Sequence, residues 1–168
     1  MVAGRRAGAV LALIAVVGVS ACAPQAAAPS VAASAAARHA QEDSVRAFMA
    51  QVAQAVSTEG PAAWGRQFAD GPEFFMASDG ALVFSDGEAA ARGIEGLTQA
   101  LPKIQLSFGP DLRVDVLSDQ YAMVGTSYSE VQTDAQGTEH HDRGYLTALA
   151  ELHEGHWRLR DAHWSSRP

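Results

Sequence analysis

The chain has 168 residues, 48% of them hydrophobic, which allows one domain of ordinary size with additional segments. The formal net charge is -7, and the sequence contains no cluster of basic residues. The chain therefore lacks the positive surface that binding to nucleic acid requires. The single cysteine, Cys22, excludes an intrachain disulfide.

Residues 1–21 have the pattern of a bacterial signal peptide. Arg5 and Arg6 precede an apolar run of about a dozen residues, which is too short to span a bilayer. The run ends in a sequence that resembles the bacterial lipobox, Val19-Ser20-Ala21-Cys22. That resemblance implies that Cys22 is lipidated and becomes the new N-terminus. The alternative is an ordinary secretory signal that is cleaved at a nearby alanine.

The residue after the cysteine bears on where a lipoprotein is held. Ala23 is not the aspartate that favours retention in the inner membrane, so the resemblance implies an outer-membrane lipoprotein that faces the periplasm. Residues 23–37 are almost entirely Ala, Pro, Ser and Gln, and such a segment buries too little apolar surface to offset its ordering entropy. We therefore assign residues 22–40 to a tether and residues 41–168 to the folded domain.

The first half of this domain predicts helices. An amphipathic helix is indicated by apolar side chains that recur at the helical period: Val45, Phe48, Met49, Val52 and Val56. The pair Gly60-Pro61 ends this helix and begins a second one, in which Trp64 and Phe68 share a face.

A hairpin and a third helix are predicted next. Two short strand-like runs flank residues 78–80, where Asp and Gly accept the positive φ angles of a tight turn. Ser85 and Glu88 have the spacing of a capping box, so a third helix begins there, and Pro102 ends it.

Residues 112–165 read as four consecutive antiparallel strands joined by short turns, and Gly109-Pro110 interrupts the strand before them. Because side chains alternate between the faces of a strand, the last strand is predicted to present on one face Trp157, Leu159, Asp161, His163 and Ser165. This face would cover a core at one end and line a polar recess at the other.

The order of helix, helix, hairpin, helix and long meander, ending in Gly-x-Trp-x-Leu-x-x-x-His-x-Ser, resembles the NTF2-like superfamily, in its SnoaL-like and DUF4440-like branch. The resemblance covers residues 42–165, and its best-matching pieces are Asp79-Gly80, residues 144–147, residues 157–159 and residues 163–165. It implies an α+β cone, in which a curved antiparallel sheet wraps around a long N-terminal helix, with two further helices and one open pocket. Homodimers that pair sheet to sheet are common in this superfamily, which also includes isomerases, cyclases, dehydratases and binding modules, so the fold does not determine the function.

Asp161 and His163 are the candidate catalytic residues. A carboxylate beside an imidazole orients it and raises its pKa, which suits a general acid or base. Tyr128, Arg143 and Tyr145 are expected to point into the same recess, where Tyr could polarise a carbonyl and Arg could pair with a carboxylate. The alternative is that Asp161 and His163 form a structural pair that seals the end of the sheet.

Aromatic residues supply the candidate ligand-binding wall. Trp64, Phe68 and Phe84 are predicted to belong mainly to the core, with part of the set forming the floor of an apolar pocket. His140 and His141 are adjacent on a strand and point to opposite faces, so they cannot chelate a metal together. Neither a Gly-x-Ser-x-Gly elbow nor a Gly-rich phosphate loop is present. We predict no metal and no cofactor.

Three hypotheses about function follow. The first is a lipid-anchored envelope domain that binds a small, largely apolar molecule or a peptide without turnover. The second is a proton-transfer enzyme of the isomerase, dehydratase or cyclase type that uses His163 with Asp161. The third is an interaction module whose exposed sheet face docks a protein partner.

Overall fold

The computed structural model of the protein describes residues 31–167, with side chains from residue 34 onwards. The predicted signal peptide, Cys22 and the first part of the predicted tether lie outside the described residues. The helices are α1 (Val31–Glu59), α2 (Trp64–Gln67) and α3 (Gly87–Ala100), and a short 3₁₀ turn (Pro61–Ala63) precedes α2. The strands are β1 (Phe75–Ser78), β2 (Ala81–Phe84), β3 (Lys103–Phe108), β4 (Arg113–Val116), β5 (Tyr121–Thr133), β6 (Glu139–His153) and β7 (His156–Ser166).

Helix α1 buries the face that the helical spacing predicts, and this prediction is confirmed. The buried side chains are Val45, Phe48, Met49, Val52 and Val56. The helix also begins earlier than expected, because residues 31–40, which were assigned to the tether, are helical. Alanine has the highest helix propensity, and two polar side chains, one within this part and one just after it, attach it to the domain. Arg38 donates to the carbonyl of Val116 at 3.5 Å, and Gln41 donates to that of Ser118 at 2.7 Å.

Helix α2 is a single turn, so the second helix is shorter than predicted. The hairpin turn is confirmed, with φ of 49° at Asp79 and 82° at Gly80. Helix α3 is also confirmed, but its N-cap is Asp86 and not Ser85. The Asp86 Oδ1 atom accepts a hydrogen bond from the backbone N–H of Ala89 at 2.7 Å, while the hydroxyl of Ser85 donates to Asp86.

The strands form one curved, unclosed sheet in the order β2-β1-β7-β6-β5-β3. All neighbours are antiparallel except β1 and β7, which are parallel. The edge beside β5 is divided, because β3 pairs with its C-terminal part and β4 with its N-terminal part. Gly109-Pro110 lies at this division, as the sequence predicts. The sheet and α1 together enclose the core and produce the α+β cone that was expected.

A β-bulge in β7 changes which residues face the core. Leu149 of β6 pairs with Asp161, and the next residue, Ala150, pairs with Leu159, so Arg160 is an extra residue without a partner in β6. An extra residue shifts the alternation of side chains by one position. The buried residues are therefore Trp157 and Leu159 before the bulge, and after it Ala162 and Trp164. The predicted single face from residue 157 to residue 165 is wrong beyond residue 159.

No helix within residues 31–167 combines the length and the apolar character that crossing a membrane demands.

Candidate functional site

A cavity of about 510 Å³ lies between α3, the β1–β2 hairpin and the inner face of the sheet. Most of its wall is apolar and comes from α2, α3, β1, β2, β3 and β7. It includes Trp64, Phe68, Phe84, Ile94, Leu97 and Trp164. The polar side chains of the wall are few and come mainly from β5 and β6: Ser78, Tyr128, Glu130, Gln132 and Asp142. The cavity is therefore an apolar chamber with one polar side.

The aromatic side chains of the wall contact one another and hold the chamber in shape. The ring of Trp64 stacks on that of Phe68, with 5.0 Å between centroids, and meets the ring of Trp164 edge-on at 5.8 Å. Trp164 also meets Tyr128 edge-on, at 4.8 Å. Such pairs contribute about 0.5–1.5 kcal/mol each beyond the burial of their area. The wall is thus a packed, preformed surface.

A hydrogen-bond network stands at the polar side, on the inner face of β5 and β6. The hydroxyl of Tyr128 donates to Asp142 Oδ2 at 2.9 Å. The hydroxyl of Ser166 lies 3.2 Å from the same oxygen and 3.0 Å from Asp79 Oδ2. The backbone N–H of Ser166 donates to Asp79 Oδ1 at 2.6 Å, which joins the hairpin turn to the end of β7. These bonds fix the position of Asp142 in the wall.

Glu130 stands directly across the sheet from Asp142, because the two residues are register partners in β5 and β6. Burial raises the pKa of Glu130, the negative charge of Asp142 raises it further, and the hydrogen bond from Gln132 opposes the rise. That bond runs from Gln132 Nε2 to Glu130 Oε1 at 2.7 Å. Burial is also the main reason that the pKa of Tyr128 rises to about 12, so its phenol is protonated at neutral pH.

The structure brings four of the predicted binding residues together in the wall of the cavity. Trp64, Phe68, Phe84 and Tyr128 all line the cavity. Phe84 also packs against α3 at Gly93, where a side chain would collide with its ring. The role of these residues in binding stays a prediction.

The structure places the candidate catalytic pair away from the cavity. His163 is exposed, and its strand partner is Thr147 on the outer side of β6. Within the described residues no hydrogen bond joins it to Asp161, whose side chain instead lies 3.8 Å from the guanidinium of Arg160. Burial raises the pKa of Asp161, and the charge of Arg160 opposes this. The expectation of a shared recess is therefore wrong, because the bulge at Arg160 turns both residues outward.

Arg143 and Tyr145 also lie on the outer face. The inner residues of β6 have even numbers, such as Leu146 and Ala148, so the odd-numbered ones point away from the cavity. Tyr145 is 43% exposed. Both residues line a second, polar depression, and Tyr128 lines it as well. These three predicted residues therefore share one recess, but Asp161 and His163 do not line it.

Sequence reasoning overlooked the two acidic residues of the cavity wall. Glu130 is two positions after Tyr128 on the same face, so the alternation of β5 already placed it beside a predicted site residue. Asp142 shares its face with the buried Leu146, Ala148 and Ala150. A carboxylate in register with a run of buried apolar residues was the available signal. Within residues 34–167, no group of three or more His, Cys, Asp or Glu side chains is arranged to hold a metal ion.

A curved open sheet around a long helix, with one apolar chamber between sheet, hairpin and a third helix, is the architecture of NTF2-like folds. Many solved structures resemble this chain, and three of them illustrate the likeness. A scytalone dehydratase-like protein of Novosphingobium aromaticivorans has a TM-score of 0.70 at 10% identity, covering 80% of this chain and 89% of its own. An NTF2-like superfamily protein of Salmonella enterica has a TM-score of 0.60 at 13% identity, covering 81% and 94%.

A hexachlorocyclohexane dehydrochlorinase (LinA) of type 2 has a TM-score of 0.64 at 11% identity, covering 80% of this chain and 90% of its own. At these identities the likeness establishes the fold, and the narrower SnoaL-like and DUF4440-like assignment stays a prediction. Neither a protein-family model nor a curated protein matches the sequence.

Proposed function

We propose that this chain is a lipid-anchored protein of the bacterial cell envelope whose NTF2-like domain binds a small, largely apolar molecule in the cavity. The observation that carries the proposal is the chamber of about 510 Å³ with its aromatic and aliphatic wall. Sites for small molecules commonly measure about 300–1,000 Å³ and have apolar walls with a few polar groups. The volume favours a small molecule over a peptide.

Burial of apolar surface would drive binding, at about 2.5 kcal/mol for each 100 Å² removed from water. The rings of Trp64, Phe68 and Trp164 already pack on one another, so little ordering of the wall opposes binding. The polar side, built on Tyr128 and Asp142, would orient the bound molecule.

A cavity-filling variant tests this proposal. Gly96 lies in the wall on α3, and a Cβ at this position meets nothing within 4 Å. Gly96→Leu should therefore fold and occupy the chamber. Gly65→Leu is the matched control, because Gly65 is equally unobstructed but lies outside the cavity wall.

The measurement is a thermal-shift screen against a library of small apolar compounds. Compounds that stabilise the parent protein should also stabilise Gly65→Leu and should have no effect on Gly96→Leu. Equal shifts in all three proteins would show that these compounds bind elsewhere. A complete absence of shifts would contradict the binding function.

The envelope location is supported by the basic and apolar pattern of residues 1–21 and by the lipobox resemblance at Cys22. Cells grown with an alkyne analogue of palmitate should incorporate the label into the parent protein and not into Cys22→Ser. The variant should also leave the membrane fraction. Labelling that persists in Cys22→Ser would contradict anchoring through this residue.

Light scattering on Cys22→Ser tests the homodimer that the resemblance implies.

A proton-transfer enzyme is the second candidate, and Glu130 is the observation that favours it. Its half-buried carboxylate lines the chamber with Asp142 and Tyr128, and a raised pKa suits a general acid or base. Two of the similar structures are named a dehydratase-like protein and a dehydrochlorinase. In an assay of candidate substrates, Glu130→Gln should abolish turnover, whereas His163→Ala should keep it. Full activity of Glu130→Gln would dismiss this candidate.

A further inference from the structure

We propose that the molecule bound in the cavity is a hydrophobic cation: an apolar body with one protonated amine, whose ammonium group lies against the carboxylates of Glu130 and Asp142. The inference rests on the proposed binding function and names the chemical class of the ligand. Both sides of the chamber contribute to this selectivity: the apolar wall binds the apolar body of the ligand, and the polar side binds its ammonium group.

The cavity wall carries acidic groups without a basic counterpart. Among the residues that the structure describes, Glu130 and Asp142 are the only carboxylates of the wall, and no Lys, Arg or His side chain lies in it. Arg143, next to Asp142 in sequence, points to the outer face and gives Asp142 only a backbone hydrogen bond, from its N–H to Oδ1 at 2.8 Å. Within residues 34–167, the wall therefore supplies neutral hydrogen-bond donors to these carboxylates but no positively charged side chain.

The two carboxylates are close enough to contact one ammonium group. They are register partners on adjacent antiparallel strands, and the Cβ atoms of such partners lie about 4.5–5.5 Å apart. Asp142 Oδ2 already accepts a hydrogen bond from the hydroxyl of Tyr128, and Glu130 Oε1 accepts one from Nε2 of Gln132. The hydrogen bonds of the described residues leave Glu130 Oε2 without a donor. An ammonium group has three donors and could satisfy this oxygen.

The charges of Glu130 and Asp142 repel each other in a partly buried place, which is one reason that the pKa of Glu130 is raised. A cation between them would turn this repulsion into attraction, whereas a bound carboxylate would add a third negative charge. The aromatic wall also favours a cationic ligand, because the faces of Trp and Tyr rings attract cations. A formal net charge of -7 also favours the approach of a cation.

The test compares three ligands that share a ten-carbon chain and differ at one end: decylamine, decanol and decanoate. Cys22→Ser serves as the parent, since it carries no acyl chain. A change in tryptophan emission reports binding, because Trp64 and Trp164 line the cavity and a bound alkyl chain would displace water from them. At about pH 7 the amine is protonated and the acid is ionised. Decylamine should bind about tenfold more tightly than decanol, and decanoate about tenfold less tightly.

Variants of the two carboxylates test whether Glu130 and Asp142 cause the preference for the amine. In Glu130→Gln/Asp142→Asn, the preference for the amine over the alcohol should disappear while decanol still binds. Glu130→Gln alone should reduce the preference and provides the same information if the double variant does not fold. Asp161→Asn removes a carboxylate from the outer face and should leave the preference unchanged.

The outcomes separate the two proposals. Equal binding of all three ligands, or tighter binding of decanoate, would overturn the cationic ligand and leave the apolar binding function intact. A preference for the amine that persists in both carboxylate variants would also overturn it. A lack of binding by all three ligands would overturn the binding function and the ligand class together.

Discussion

The hydroxyl of Tyr128 is the part of the cavity wall whose removal should be most informative for stability. Tyr128→Phe deletes the donor that bonds Asp142 Oδ2 at 2.9 Å and keeps the ring. The ring is only 5% exposed and meets Trp164 edge-on at 4.8 Å, so its burial and its aromatic contact should persist. The effect of the variant therefore reports the hydrogen bond.

The expected loss of stability follows from the charge of the acceptor. Hydrogen bonds to charged groups contribute about 1.5–3 kcal/mol. The hydroxyl of Ser166 lies 3.2 Å from the same oxygen and can replace part of the lost bond, so we expect a loss of about 1.5 kcal/mol. For a domain of this size, that loss lowers Tm by about 5 °C.

Urea unfolding of Cys22→Ser, followed by circular dichroism and tryptophan fluorescence, measures this difference. Tyr121→Phe is the control, because the Tyr121 hydroxyl donates to Glu151 at 2.9 Å from the more exposed end of β5. It should cost less stability than Tyr128→Phe. A double-mutant cycle with Asp142→Asn should give a coupling of about 1 kcal/mol. Additive effects in that cycle, or unchanged stability of Tyr128→Phe, would refute the role of the bond.

Three further predictions concern the cavity and the outer face. Folding raises the pKa of Glu130, so the stability that the Glu130 side chain contributes is complete below the ordinary pKa of 4.5 and is lost as pH rises through the folded pKa. Glu130→Gln should therefore have a higher Tm than the parent at neutral pH. The difference in Tm should vanish in thermal melts below pH 4.5. Gly96→Ala should stabilise the protein by up to about 1 kcal/mol in urea unfolding, whereas Gly93→Ala should not, because its Cβ collides with the ring of Phe84. His163→Ala should change the free energy of unfolding by less than about 0.5 kcal/mol and leave ligand-induced thermal shifts intact, because the side chain is exposed and lies outside the cavity. A loss of ligand binding in this variant would show that His163 contributes to the site.

Local patterns of the sequence were enough to predict most of the elements. Helical spacing identified the buried face of α1 from Val45 to Val56, and the chemistry of Asp79-Gly80 identified the hairpin turn. The break at Gly109-Pro110 and the long antiparallel strands were also predicted. These features depend on backbone preferences and side-chain periodicity within a few residues, which the sequence displays directly.

The site was only partly predictable. The aromatic wall residues Trp64, Phe68 and Phe84 were recognised, because large apolar side chains are buried wherever the fold places them. Alternation also placed Glu130 on the face of Tyr128, but its partner Asp142 could be identified only once the register of β5 and β6 was known. Register is a relation between strands, and a single strand does not show it.

The sequence by itself determined the class of fold and the core-facing side of α1, since both follow from local periodicity and burial of apolar side chains. Tertiary structure alone decided which polar residues face the chamber. Alternation along β7 predicted that His163 would share a face with Trp157, but pairing with β6 leaves Arg160 as an extra residue and reverses the faces beyond it. A bulge is imposed by the neighbouring strand, so Trp164 lines the cavity and His163 lies outside it.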